Sequence, residues 1–258
     1  MGGRAGINTA MQNLLNSESY LTGSTQAHLV EWIDSRPQSD RGNLLSEPFL
    51  VHRDVADPLT DLRQLAAKEG FDLRLCSSFR SFDRQLKIWN DKLNGLRPVY
   101  DDNGVQLDLT QLSDWQQVQA VMRWSALPGA SRHHWGTDFD IYDAAAVESN
   151  YQVQLSPDEV SSGGVFAAMH NWLDTLFEAG CSLEGGDNSS FYRPYAEDRG
   201  GIAPERWHIS YRPLAERYAA QLSVDLLARR LCNVEIVHRD IILERLDELY
   251  QRFIVVAH

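Results

Sequence analysis

Two short segments, HWGTDFDIYD (134–143) and RWHISYR (206–212), alternate apolar and polar side chains with a period of two. That period fits strands with one face buried and the other free for chemistry. In the first, Thr137, Phe139 and Ile141 share one face, and Asp138, Asp140 and Tyr142 share the other. In the second, Trp207, Ile209 and Tyr211 oppose Arg206, His208, Ser210 and Arg212. A third segment, FDLRLCSSFR (71–80), sets Phe71, Leu73 and Leu75 against Asp72, Arg74 and Cys76, then runs into a loop. Both polar faces of the first pair carry groups able to bind a metal.

Helical patterns separate these strands. Leu59, Leu62, Leu65 and Ala66 fall on one face of a helix that ends near Lys68, with Asp57 or Thr60 as its cap and Gly70 as its stop. Ser81 is a cap for FDRQLKIWNDKL. Further helices are expected over 6–19, 115–127, 164–179, about 214–230 and 239–253, and DDNG (101–104) reads as a turn joining two short strands. The order is mixed and the strands are few. We therefore expect an α+β fold: a small, mainly antiparallel sheet with helices packed on one face. The division expected is a helical extension over 1–44, a central domain over 45–215 and a C-terminal helical segment over 216–258 packed on it. The pairs Gly185-Gly186 and Gly200-Gly201 bracket FYRPYAEDR, which reads as a mobile loop near a cleft.

The formal charge of −12 opposes nonspecific binding to nucleic acid or anionic membranes. Three cysteines, Cys76, Cys181 and Cys232, are an odd number at wide spacings with no CxxC pair, which argues against a disulfide framework or a cysteine metal site. No apolar run is long enough for a signal-peptide core or a membrane span. The expected compartment is the cytoplasm, or an extracytoplasmic one if a leader is missing.

Three clusters then carry the chemistry. His133 and Asp140 stand seven residues apart, one at the end of a loop and one within a strand, with Gly136 allowing a bend between them. Alone, they also fit a surface loop beside an acidic strand. Glu205 and His208 are three residues apart at a strand entrance. A histidine beside a tryptophan is more often a packed core residue than a ligand, but a glutamate close to a metal has a use as a proton acceptor. Arg80 follows a strand and Gln85 lies one helical turn on, so Arg80 is placed either to stabilise an oxyanion or to clamp a carboxylate.

Together the clusters resemble the VanY-type D-alanyl-D-alanine carboxypeptidases, within the zinc peptidases that include lysostaphin-like enzymes and the hedgehog domain. The family motif Ser-x-His-x-x-Gly-x-Ala-x-Asp is matched by Ser131, His133, Gly136 and Asp140, with Asp138 where the family usually has alanine. Glu-x-Trp-His is matched by Glu205, Trp207 and His208, and Arg-Ser-x-x-x-Gln by Arg80, Ser81 and Gln85. The resemblance covers about residues 45 to 215.

The resemblance implies one Zn²⁺ held by His133, Asp140 and His208 on the free face of the sheet, with Glu205 and Arg80 catalytic. It selects His133 over its neighbour His134, which chemistry alone does not. Ser131 and Gln85 are expected to hold the substrate or the Arg80 loop, and Trp207 to pack under the ligand strand. Asp138 is expected either to accept from a ligand histidine or to alter the substrate pocket. The implied reaction is hydrolysis of a peptide bond next to a D-amino acid, most simply removal of terminal D-Ala from peptidoglycan stem peptides or fragments. A D-Ala-D-Ala dipeptidase or a cell-wall endopeptidase is the enzymatic alternative. A noncatalytic zinc-containing binding module is the alternative of another class, with His134 or His170 as an open fourth ligand.

Overall fold

A computed structural model describes residues 18–33, 48–178 and 190–255. Strands β1 (Leu29–Trp32) and β2 (Phe49–His52) form an antiparallel pair. Helix α1 (Ala56–Lys68) leads to β3 (Leu73–Ser77), and helices α2 (Phe82–Leu93) and α3 (Asp114–Met122) follow. After β4 (Asp138–Asp143) come the one-turn helix α4 (Pro157–Val160) and the longer α5 (Ala167–Glu178). Strands β5 (Phe191–Tyr192) and β6 (His208–Tyr211) precede the C-terminal helices α6 (Arg212–Ala219), α7 (Val224–Leu231), α8 (Arg239–Glu244) and α9 (Leu246–Leu249). No helix among the described residues is long and apolar enough to cross a membrane.

The four-stranded sheet has the order β3-β4-β6-β5 and is antiparallel throughout. The expected α+β architecture is the one observed. Phe139 and Ile141 of β4, Ile209 of β6 and Leu73 and Leu75 of β3 point to one face. There they bury against Leu59, Leu62 and Ala66 of α1 and Met169, Leu173 and Leu176 of α5. The α1 positions recur at helical spacing, so one stripe of that helix reaches the sheet. The opposite face carries Asp138, Asp140, His208 and Ser210, all buried. Strand alternation thus separates an apolar back from a polar front within the same residues.

A second core lies beside the sheet. Phe82 and Trp89 of α2 and Val118, Val121 and Met122 of α3 pack against Leu226, Leu227 and Leu231 of α7, Ile242 of α8 and Leu246 and Leu249 of α9. Ser81 starts α2 as expected, its Oγ accepting the Arg84 amide at 3.2 Å. Ser113 and Gln116 form a reciprocal capping box at the start of α3.

Several local expectations change. Neither Asp57 nor Thr60 caps α1, which begins at Ala56. Thr60 Oγ1 instead donates to the Ala56 carbonyl at 2.8 Å and accepts from Trp32 Nε1 at 3.1 Å, tying the helix to β1. The DDNG turn is closed by a single bridge, Tyr100 to Gln106, rather than by two strands. Each expected C-terminal helix is broken, at 220–223 and at Arg245. FYRPYAEDR begins as the edge strand β5 with both residues buried, so its first part belongs to the sheet rather than to a mobile loop. The expected helix over 6–19 and the Gly185-Gly186 pair lie outside the described residues, except for 18 and 19.

Candidate metal centre

The register of β4 against β6 pairs Asp140 directly with His208 and Asp138 with Ser210. Directly opposed residues share a face, so the pairing puts one carboxylate and one imidazole side by side. His133 arrives from a single helical turn, Arg132–Trp135, which ends at Gly136 with φ 69° and ψ 16°. That left-handed conformation favours glycine, and it turns the chain from His133 into β4. The donor atoms of His133, Asp140 and His208 all lie within 4.8 Å of one another.

The closest approaches are His133 Nε2 to Asp140 Oδ2 at 3.4 Å and His208 Nδ1 to Asp140 Oδ1 at 3.3 Å. Ligands about 2.0–2.2 Å from a tetrahedral zinc sit roughly 3.3–3.6 Å apart, so the separations fit. The outer ring nitrogens fit as well. His133 Nδ1 donates to the Ser78 carbonyl at 3.0 Å, which leaves the Nε2 lone pair facing inward. His208 Nε2 donates to Asp138 Oδ1 at 3.0 Å, which leaves Nδ1 facing inward. Ligand histidines are oriented in this way by acceptors behind them. The residues present therefore suit a zinc ion.

A β-bulge supplies the Ser78 acceptor. Strand β3 pairs Leu75 with Ile141 and then Ser77 with Asp140, so Cys76 is the extra residue. Bulges re-aim the chain beside active sites, and here the turn beyond the bulge brings the Ser78 carbonyl behind His133. Cys76 is exposed, and Cys232 lies far along the chain in the C-terminal helices.

Asp138 is the hub of the inner network. Besides His208, it accepts from Arg132 Nε at 2.7 Å and Thr137 Oγ1 at 2.6 Å. Arg132 Nη2 also donates to Tyr192 Oη at 2.7 Å and Ser210 Oγ at 2.8 Å. Burial raises the Asp138 pKa, but Arg132 and His208 lower it further, so it stays ionised. Asp140 is likewise held well below the usual carboxylate range, against burial, by His133 and His208. Burial lowers the His208 pKa, but its hydrogen bonds to Asp138 and Asp140 raise it to about 9. Two carboxylates thus make this a site that favours a cation, whether proton or metal.

Glu205 lies beside the triad, its Oε2 3.6 Å from His208 Nδ1. Burial pushes its pKa up and His208 pulls it down, with Asp140 raising and Arg80 lowering it, for a net value of about 7. The Glu205 amide donates to the Tyr195 carbonyl at 3.0 Å, and the Tyr195 ring sits edge-on to His208 with centroids 5.0 Å apart. Arg80 Nη1 donates to Gln85 Oε1 at 2.9 Å and Nη2 to Ser77 Oγ at 3.3 Å. Gln85 is wholly buried and donates in turn to the Ala126 carbonyl at 2.7 Å. Gln85 thus braces the Arg80 guanidinium. Ser131 is buried and lines the same cleft, of about 850 Å³, as Arg80, Glu205 and the triad.

Trp207 sits elsewhere than expected. A turn at 206–207 takes it out of the strand alternation, and its ring joins Val160 and Phe166 at the side of the cleft instead of lying under β6. His134 is a staple. Its Nδ1 donates to the Arg80 carbonyl at 2.6 Å and its Nε2 accepts the Gly129 amide at 3.0 Å. With both nitrogens used, it is not a fourth ligand. His170, on α5, contacts Arg193 and likewise does not join the triad. Sequence reading missed Arg132, Tyr195 and the Ser78 carbonyl. Arg132 carried a signal, since a buried Asp138 beside a ligand strand needs a cation nearby. Backbone carbonyls carry none.

The VanY family, described as D-alanyl-D-alanine carboxypeptidase, matches residues 49–214. An uncharacterized protein of Haemophilus influenzae is 45% identical over 107 residues, which cover 42% of this chain and 67% of that one. A second uncharacterized protein of the same organism is 30% identical over 131 residues, covering 50% of this chain and 93% of that one. Among solved structures, VanYB in complex with D-alanine-D-alanine is 21% identical with a TM-score of 0.43, covering 74% of this chain and 87% of its own. The LdcB LD-carboxypeptidase is also 21% identical, with a TM-score of 0.46, covering 81% of this chain and 85% of its own.

Proposed function

The chain belongs to the VanY D-alanyl-D-alanine carboxypeptidase family, and from that premise we propose that it is a zinc-dependent carboxypeptidase that removes a terminal D-amino acid from peptidoglycan-type stem peptides or their fragments. One observation carries the reading. Two histidines turn ring nitrogens toward Asp140, and the half-buried carboxylate of Glu205 stands beside them, 3.6 Å from His208 Nδ1. A purely structural zinc site has no use for that glutamate and normally fills its fourth position with protein.

In this reading His133, Asp140 and His208 hold the ion. A zinc ion held there supplies the Lewis acidity that makes water nucleophilic near neutral pH. Glu205 accepts the proton of the attacking water at its carboxylate and returns it to the nitrogen of the departing amine. A group that must both accept and release a proton works best with a pKa near the operating pH, and burial brings Glu205 there. The Arg80 guanidinium, held by Gln85 and Ser77, offers positive charge to the carbonyl oxygen as it becomes an oxyanion. Its rigidity matters, because donors already in place need not reorganise during the reaction. Ser131 lines the substrate side of the cleft.

The test is substitution of Glu205 by Ala, with zinc content and hydrolysis of D-Ala-D-Ala-ended peptides measured together. Zinc should stay near one per chain while turnover falls by about 10²–10⁴-fold. Survival of activity in E205A would remove Glu205 from the mechanism. Mass spectrometry of the products separates release of one residue from release of a dipeptide or internal cleavage. Peptides ending in an L-residue followed by D-Ala fix the stereochemistry.

A further inference from the structure

Helix α2 presents Gln85, Ile88 and Lys92 at positions i, i+3 and i+7, one stripe of the helix. Gln85 braces Arg80, and Ile88 and Lys92 line the same cleft. Lys92 Nζ donates to Ser125 Oγ at 2.6 Å. Among the described residues no carboxylate lies within 4.0 Å of that nitrogen. An ammonium has three donors, so two remain for something else. Lys87, one turn earlier on the outside of the helix, shows the contrast, being paired with Asp91 at 2.9 Å.

The other cations of the cleft are already committed. Arg132 serves Asp138, Tyr192 and Ser210. Arg80 bonds Gln85 and Ser77 and is taken by the oxyanion in the reading above. Arg97 is half exposed and bonds Asp91 at 3.3 Å. Lys92 is half-buried. Burial lowers its pKa, Glu205 raises it, and Arg80 and Arg97 lower it further, to about 8. A half-buried ammonium with spare donors is a site for an anion.

The reaction chemistry says which anion belongs there. In removal of a terminal residue, the departing amine carries its own α-carboxylate two bonds away. That carboxylate must therefore lie close to the group that protonates the amine, which is Glu205 in the reading above. Lys92 and Glu205 line the same cleft.

We propose that Lys92, steadied by Ser125, binds the terminal α-carboxylate of the peptide and so makes this cleft select chain ends over internal bonds. The proposal rests on the peptidase reading for the position of the amine. Lys92 is a specificity-determining residue that touches substrate away from the reacting atoms.

The experiment compares diacetyl-L-lysyl-D-alanyl-D-alanine as the free acid and as the C-terminal amide, on the zinc-loaded wild-type chain, K92M and K92R. The wild type should prefer the acid by about tenfold or more in KM. K92M should bring the acid-to-amide ratio in KM within about twofold. K92R should restore part of the preference. Melting temperature checks that each variant is folded. If no peptide is turned over, the same two peptides are titrated calorimetrically, and loss of acid preference in K92M supports the anchor even though the peptidase reading has failed. Equal wild-type affinity for acid and amide, or an acid preference unchanged in K92M, overturns it. So does a loss of kcat equal for acid and amide with KM unchanged, since that pattern means Lys92 acts only through Glu205.

Discussion

At Asp138 one carboxylate accepts from Arg132, Thr137 and His208, at 2.7, 2.6 and 3.0 Å. Asp138 stands where the family motif usually has alanine, and it is reconciled with burial because Arg132, only 4% exposed, brings the compensating charge. The two roles of Asp138, orienting His208 and neutralising Arg132, separate by mutation. D138A should weaken zinc affinity by about 10–100-fold, as expected when the acceptor behind a ligand histidine is lost. It should also cost about 3–5 kcal/mol, because Arg132 is left buried and unpaired. Adding R132M should recover most of that stability and none of the zinc affinity. Zinc competition with a chelator and urea unfolding, run on the same three proteins, check both halves. Parallel recovery of both quantities would mean that Asp138 acts only through Arg132. At this scale the sequence was partly legible. The residue types and spacings of His133, Asp140, His208 and Glu205 pointed to one cluster, because a metal site needs side chains that few other roles require. The acceptor for His133 was not legible, since a Ser78 carbonyl looks like any other carbonyl in a sequence.

Among the elements, strand alternation is what transferred best from sequence to structure. Phe139 and Ile141 lie in the core, while Asp138 and Asp140 lie on the opposite face, because a period of two leaves a half-buried strand no other choice. Register was not legible in the same way. The pairing of Asp140 with His208 depends on how β4 and β6 align, and the residues between them do not encode it. Trp207 shows the limit of extending a period past a strand end, since the turn at 206–207 sent it to the cleft wall. The helix caps split similarly: Ser81 caps α2, but Thr60 is used for the contact with Trp32. Gly136 joins these elements. A methyl added there would lie 2.5 Å from Leu29 Cδ2 and 2.9 Å from the His52 nitrogen, in a backbone at φ 69°. The left-handed conformation costs about 1–2 kcal/mol for a residue with a Cβ. Pushing back the β1–β2 pair costs about 1–3 kcal/mol more. G136A should therefore lower the urea midpoint and, by moving His133, weaken zinc binding. An unchanged midpoint would mean that β1–β2 yields freely and does not support the centre.

For the whole molecule, the sheet core and the helical core meet around a polar cleft, and buried histidines outside that cleft tie stability to pH. His28 is buried against Tyr20, His52 and Phe79. Burial, with the nearby His52, lowers its pKa from 6.5 to about 4. His170 is buried on α5, and burial together with Arg193 and Arg206 lowers its pKa from 6.5 to about 3. Both are neutral in the folded chain at pH values where the unfolded chain is already protonated. The unfolded state then binds more protons, so stability falls as pH falls. The contribution of each is complete above pH 6.5 and is lost on acidification, through about pH 4 for His28 and about pH 3 for His170. The slope approaches about 1.4 kcal/mol per pH unit for each histidine within its window. Protonation of the metal ligands adds its own acid sensitivity, so the prediction concerns a difference. H28Q is expected to be less stable than the wild type at pH 7, where the packed ring is lost. That deficit should shrink by roughly 3 kcal/mol between pH 6.5 and 4, because the variant has no imidazole to protonate. Urea unfolding of both proteins across that range measures it, with zinc chelated throughout so that both start from the same state. A deficit that stays constant with pH would mean that His28 titrates alike in the folded and unfolded chains, and that burial among these rings does not exclude its charged form.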